Sequence, residues 1–139
     1  KNKFIFGKMS LLINGKDIII FSIGGIVNDL FQVCKKLNDN NIYPSLVSCH
    51  TLKPLDNIAI KRLCNDNSKI FVVEENSKIG GLASGIADVC MNNSIKPKVF
   101  QSYGIENKFI KEVGDREHLL KISKIDSSSL YKKIRNSIK

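Results

Sequence analysis

Tryptophan is absent from this chain, and arginine occurs only three times among its 22 basic residues. Proline is found three times and histidine twice in 139 residues. Each scarcity excludes something. Nucleic-acid readers cluster Arg and Lys on one face and interleave aromatics. Here lysine is scattered and aromatics make up 7%, so the net charge of +9 does not mark a nucleic-acid interface. No apolar run approaches the roughly 20 residues of a membrane-spanning helix, and no signal-peptide pattern is found. None of Cys34, Cys49, Cys64 and Cys90 forms a C-x-x-C pair, which removes the usual zinc spacing. All four lie in apolar stretches, so reduced, buried thiols and a cytoplasmic location are expected. Repeats and low-complexity linkers are also missing. The length suits one domain, and residues 1–139 are expected to form it. The first residue is not Met, which suggests a processed product or one part of a larger enzyme.

What is present is a rhythm of strand, turn and helix. Residues 4–13 read as an edge strand, closed by the turn signal Asn14-Gly15. Ile18 to Ile23 is a nearly continuous apolar run, as in a strand covered on both faces. After Gly24-Gly25 the period changes: Ile26, Leu30, Cys34 and Leu37 form a helical stripe. Asn28 and Asp29 fall in its first turn and Lys35 and Lys36 in its last, complementing the helix dipole. Pro44 to Cys49 is the next strand, and Asp56 is an N-cap for a helix from Asn57 to about Cys64. Lys69 to Glu74 is a β-branched strand. Gly80-Gly81 opens a helix with Leu82, Ala83, Ile86, Ala87, Val89 and Cys90 inward. Pro97 to Tyr103 is the last strand. Asp115 and Asp126 cap two closing helices, Arg116–Ile122 and Ser127–Ile138. Strands alternating with helices predict a mainly parallel sheet with helices on both faces. Right-handed crossovers then place loops 24–25, 50–56, 74–81 and 103–108 along one edge, the edge where open α/β sheets meet ligands and partners.

Several residues on that edge are candidates for chemistry or contact. Glu74 and Glu75 are adjacent, so on a strand they point to opposite faces and do not form a matched acid/base pair. The expectation is that one accepts hydrogen bonds from a neighbouring loop while the other is solvated. Gly80 and Gly81 leave backbone N–H groups free for an anion, although the pattern is neither G-x-G-x-x-G nor a P-loop; close packing on the sheet is the plainer explanation. His50 carries an imidazole, a group suited to proton transfer, but has no nucleophile beside it. Lys53, before Pro54, faces either a partner or solvent. His118 reads as a surface residue. His50, Lys53, Glu74, Glu75, Gly80 and Gly81 are therefore candidate domain-interface or anion contacts. No catalytic, cofactor-binding or metal-ligating set is complete.

Four segments together resemble one family. G-K-M-S-L-L-I-N-G-K-D from Gly7, T-L-K-P-L-D at Thr51 to Asp56, V-V-E-E-N-S-K-I-G-G-L-A-S-G-I-A-D-V at Val72 to Val89, and Y-G-I-E-N-K-F-I-K-E-V-G-D-R-E-H-L-L from Tyr103 occur in order. They resemble the C-terminal domain of transketolase-like, thiamine-diphosphate-dependent enzymes. Two positions depart: His50 stands where many relatives carry Arg, and Ala83 where Gly is common. The resemblance implies a three-layer α/β/α sandwich on a five-stranded, mostly parallel sheet with one antiparallel edge strand. It implies that the parent enzyme holds thiamine diphosphate and a divalent metal, Mg, in other domains, because no G-D-G occurs here. Those pyrimidine-binding and diphosphate-binding domains, or a separate subunit carrying them, are the implied partners, in a homodimer or heterotetramer, with neither nucleic acid nor membrane.

Three functions follow as expectations. The first is a non-catalytic assembly domain of a transketolase that moves a two-carbon ketol unit between sugar phosphates. Its near relatives are 1-deoxyxylulose-5-phosphate synthase and the β subunit of 2-oxoacid dehydrogenases. The latter implies docking to a basic helical domain, which a charge of +9 opposes. The last is a stand-alone anion-binding α/β module using loops 24–25 and 80–81.

Overall fold

A computed structural model describes residues 4–66, 68–107 and 109–138. The strands are β1 (Ser10–Ile13), β2 (Ile18–Ile23), β3 (Pro44–Ser48), β4 (Lys69–Ser77) and β5 (Val99–Ile105). The helices are α1 (Ile26–Asn38), α2 (Asn57–Leu63), α3 (Leu82–Asn92), α4 (Arg116–Ile122) and α5 (Ser127–Ile138). The five strands lie in the order β1-β3-β2-β4-β5. β1 is antiparallel to β3, and every other neighbouring pair is parallel. This is the expected mixed sheet with its one antiparallel edge.

Two apolar clusters sandwich the sheet. On one face α1, α4 and α5 deliver Ile26, Leu30, Leu37, Leu120, Leu130 and Ile134 onto Ile20, Phe71 and Val73. On the other, α2 and α3 deliver Ile60, Leu82, Ile86 and Cys90 onto Phe21, Val47, Ile70 and Val72. Alternation along β4 decides which side chain meets which layer: Ile70 and Val72 face α3, while Phe71 and Val73 face α1. That strand is buried from Ile70 to Glu74, which is why its sequence reads as a continuous apolar run.

Three aspartates start helices as expected. Asp56 accepts from the Ala59 N–H at 3.1 Å, Asp115 from His118 N–H at 2.8 Å, and Asp126 from Ser128 and Ser129 N–H at 3.1 and 3.2 Å. Each of these bonds satisfies a donor that the first helical turn leaves without a partner.

The edge strand is shorter than expected. Only Ser10–Ile13 pairs with β3, and residues 4–9 leave the ladder. Gly7 turns the chain at φ +74°. Its N–H donates to Thr51 Oγ1 at 3.1 Å, and Met9 N–H donates to Asp56 Oδ2 at 3.2 Å. Side chains of the β3–α2 loop thus take the N–H groups that a strand would have offered to its neighbour. β4 instead runs on to Ser77, through a register shift that pairs Ser77 with Ile105. Gly104 makes room, since a Cβ there would lie 2.7 Å from the Asn76 carbonyl. β5 begins at Val99 rather than Pro97; proline has no N–H for the ladder.

Candidate functional site

The chain leaves β2 towards β3 on one side and reaches β4 on the other. The crevice outside the carboxyl ends of β2 and β4 is therefore the topological switch point, where open α/β sheets accept ligands. Gly24, Gly25, Glu74, Glu75, Gly80 and Gly81 border it.

Here the crevice is filled from within. Continuing the alternation of β4, Glu74 points to the α3 side and Glu75 to the α1 side. Glu74 is 2% exposed. Its carboxylate accepts from the N–H of Leu82 at 3.0 Å and of Ala83 at 3.3 Å. These are the first free donors of α3, so the carboxylate occupies the place where an anion would settle. Gly81 is extended, at φ −89°, ψ −158°, a conformation open to any residue. A Cβ at Gly81 would nevertheless collide with the Glu74 carboxylate, so glycine is needed for close approach. Gly80, at φ +74°, faces open space and serves the left-handed turn before it.

Glu75 is not simply solvated. Both its oxygens pair with Arg116, Oε2 accepting from Nε at 3.2 Å and Oε1 from Nη2. The same Nη2 donates to Asp29 Oδ2 at 2.6 Å. One guanidinium thus ties the end of β4, the first turn of α1 and the start of α4. Hydrogen bonds to Glu75, then Asp29, raise the Arg116 pKa above its ordinary value, making it a fixed cation. Arg116 was not among the residues singled out from the sequence, although a signal was present. A cation in the first turn of a helix opposes the dipole, so it requires a carboxylate from elsewhere.

The β3–α2 loop forms the next part of the rim. His50 Nε2 lies 3.2 Å from the Ile5 carbonyl, and its ring meets Phe4 with centroids 4.7 Å apart. Lys53 is exposed, and its bond to Pro54 is cis. Asp56 is buried beneath and has two tasks, capping α2 and holding Met9 and Lys8. Burial alone would raise its pKa; the Ala59 and Met9 N–H groups and Lys8 outweigh that and hold it below the ordinary value. The structure thus groups Glu74, Glu75, Gly80 and Gly81 around one crevice and sets His50 and Lys53 on the adjoining loop.

Exposed apolar side chains crowd the same edge. Phe4, Ile5 and Phe6 lie beside the β3–α2 loop, and Ile79 is in the β4–α3 loop, all more than half exposed. In the segment after β5, Phe109 is 95% and Val113 98% exposed. Isolated exposed apolar residues are ordinary; here several form an exposed apolar rim.

The cysteines take no part. All four are free and buried. Burial pushes the Cys34, Cys49 and Cys64 thiols up to about 12 and raises Cys90. Among the described residues no three His, Cys, Asp or Glu side chains converge on a metal site, and no helix is long and apolar enough to cross a membrane.

A family model described as the transketolase C-terminal domain matches residues 7–130. The chain belongs to that family. It is 33% identical over 138 residues to a Methanocaldococcus jannaschii protein named transketolase C-terminal section, covering 98% of this chain and 42% of that one. It is 34% identical over 115 residues to the 1-deoxy-D-xylulose-5-phosphate synthase of Dictyoglomus turgidum, covering 81% and 18%. The fold matches a structure titled "Split gene transketolase, inactive beta4 tetramer" with TM-score 0.80, 25% identity, and coverage of 99% and 43%. It also matches transketolase from Pichia stipitis, with TM-score 0.66 at 17% identity, covering 95% and 18%. The chain thus spans less than half the length of each. Transketolases and 1-deoxyxylulose-5-phosphate synthases depend on thiamine diphosphate. The residues described here do not fit that group or its metal: the switch-point carboxylates are committed to backbone N–H groups and to Arg116.

Proposed function

We propose that this chain is the assembly domain of a thiamine-diphosphate-dependent transketolase that moves a two-carbon ketol unit between sugar phosphates. The observation that carries this reading is the self-occupied switch point. A stand-alone anion site would need the α3 N–H donors and the crevice cation, and both are bonded to carboxylates of the chain itself. The apolar rim supports contact with a larger partner. In this reading Phe4, Phe6, Ile79, Phe109 and Val113, with His50 and Lys53 beside them, pack on the pyrimidine-binding domain or its counterpart subunit. Cofactor and metal are held there and in the diphosphate-binding domain. The similar structure titled as an inactive β4 tetramer fits a chain that needs companions for chemistry.

A second reading, 1-deoxyxylulose-5-phosphate synthase, is favoured by the identity to the Dictyoglomus turgidum enzyme. The test is an assay of the complete enzyme, this chain joined to or mixed with its cofactor-bearing domains. Ketol transfer between sugar phosphates supports the first reading, and production of 1-deoxyxylulose 5-phosphate replaces it with the second. Turnover by these 139 residues alone would overturn the assembly role.

A further inference from the structure

β5 is the last strand of the sheet, and no strand pairs with its outer side. The ladder to β4 shows which backbone groups are left over. Val99 N–H donates to the Ser68 carbonyl at 3.3 Å, and the Ile105 carbonyl accepts from Lys78 N–H at 3.3 Å. In a parallel strand each residue turns its N–H and its carbonyl to the same side, and the next residue turns both away. Val99, Gln101 and Tyr103 therefore serve β4. Phe100 and Ser102 turn their N–H and carbonyl groups outward, where no partner is found among the described residues.

Edge strands are commonly guarded by charge, by proline or by a covering element. The run V-F-Q-S-Y-G-I, Val99 to Ile105, holds neither a charged residue nor a proline. Gln101 is exposed, and among the described residues its side-chain amide has no partner. Gly104 is buried, with the Asn76 carbonyl and the Lys78 side chain close to its Cα, so the open part of the edge runs from Val99 to Tyr103.

The charges stand just outside the strand. Lys98 precedes it and Glu106 follows it, both exposed. Glu106 holds Lys78 at 2.7 Å, and a carboxylate accepts several donors. An edge with a cation before it and a carboxylate after it complements its own copy when the two strands run antiparallel.

We propose that β5 is a pairing edge for a second copy of this chain, the two strands antiparallel about a two-fold axis at Gln101. In this register Phe100 lies opposite Ser102 of the second copy. Their outward groups exchange two N–H to carbonyl bonds, and the axis repeats the exchange, as in an ordinary antiparallel ladder. The Gln101 amides meet at the axis, each able to donate and accept. Lys98 falls diagonal to Glu106 of the second copy, within reach of a long side chain. A two-fold contact closes on itself and does not propagate. One strand pair is smaller than a stable interface, so a covalent trap reads it better than sedimentation does.

Gln101→Cys in the complete polypeptide that carries this chain provides that trap. Directly opposed residues of a non-hydrogen-bonded pair have Cα atoms about 4.5 Å apart, within the span of a disulfide. Oxidised glutathione exchanges with the two thiols, leaving one interchain disulfide and two reduced glutathiones. The four native cysteines are buried and stay out of the exchange. The net charge of +9 opposes the encounter of two copies, so the reaction is run at physiological salt, where screening acts beyond about 8 Å. The covalent dimer is expected about tenfold faster than from Lys61→Cys, because pairing raises the local thiol concentration; Lys61 is exposed on α2, and thiols there meet by collision alone. Ser102→Pro added to Gln101→Cys removes an outward N–H and no bond to β4, a placement that edge strands accept, and should lower the rate to that of Lys61→Cys. Lys98→Glu, also added to Gln101→Cys, sets like charges against each other and should slow the reaction as well. Equal rates from positions 101 and 61 would overturn the proposal, and so would a rate at 101 that neither Ser102→Pro nor Lys98→Glu moves. Crosslinking from Ser102→Cys in place of Gln101→Cys would overturn the register.

Discussion

At the scale of single residues, two neighbouring glycines separate two reasons for being glycine. Gly80 is left-handed with open space around its Cα, whereas Gly81 is extended with no room for a Cβ. Backbone strain alone ranks Gly80→Ala as the worse substitution, at about 1–2 kcal/mol. Packing reverses that order. Alanine at position 81 displaces a buried carboxylate from two N–H donors, and hydrogen bonds to a charged group contribute about 1.5–3 kcal/mol each. Gly81→Ala is therefore expected to lose about 3 kcal/mol, more than Gly80→Ala, in urea unfolding followed by circular dichroism. In a Glu74→Ala background the penalty for Gly81→Ala should fall well below that, because the colliding group is gone. Equal penalties in both backgrounds would show that the carboxylate is not what excludes the side chain.

At the scale of elements, Asp56 couples α2 to the segment before β1. Its folded-state pKa lies below its ordinary value of 3.8. The folded state then binds less proton than the unfolded state as pH drops, so stability falls with pH. The contribution of Asp56 is complete above its unfolded value and is lost as pH descends through the lower, folded value. Asp56→Asn keeps a good helix cap but does not titrate. Its unfolding free energy should vary less steeply with pH below about 4 than that of the parent chain; Asp126, also held low by burial-opposed hydrogen bonds, leaves a residual slope. The same element shows what was legible beforehand. The Asp caps, the apolar stripe of α1 and the mainly parallel sheet were readable, because each depends on residues within a few positions or on a repeating period, whereas the one antiparallel edge was implied by the family resemblance. Residues 4–9 were misread as strand because Thr51 and Asp56, more than forty positions away, take their N–H groups. The fate of Glu75 was hidden for the same reason: Arg116 is 41 positions downstream, and Asp29 is 87 from Arg116. Adjacency on a strand correctly separated Glu74 from Glu75, but could not name the groups each would meet.

At the scale of the whole molecule, the two ends of the sheet differ in kind. The carboxyl end pairs the carboxylates at its switch point and exposes apolar side chains; the amino end borders a recess lined in part by Lys16, Asp17 and Arg62. A surface of the first kind is stable alone yet incomplete, since nothing in the fold requires Phe109 or Val113 to be apolar. Their substitution should thus separate folding from assembly. Phe109→Asp with Val113→Asp removes two side chains that are 95% and 98% exposed, so the unfolding midpoint of the chain should shift by no more than about 0.5 kcal/mol. If the rim packs against cofactor-bearing domains, the same double variant buries two carboxylates there without partners, at a cost of several kcal/mol. Sedimentation of the complete enzyme should then show dissociated sections and the assay should show lost turnover, while the isolated chain unfolds as before. Intact assembly with full activity would place the interface on another face, and a large loss of stability in the chain alone would mean that these side chains serve its own core.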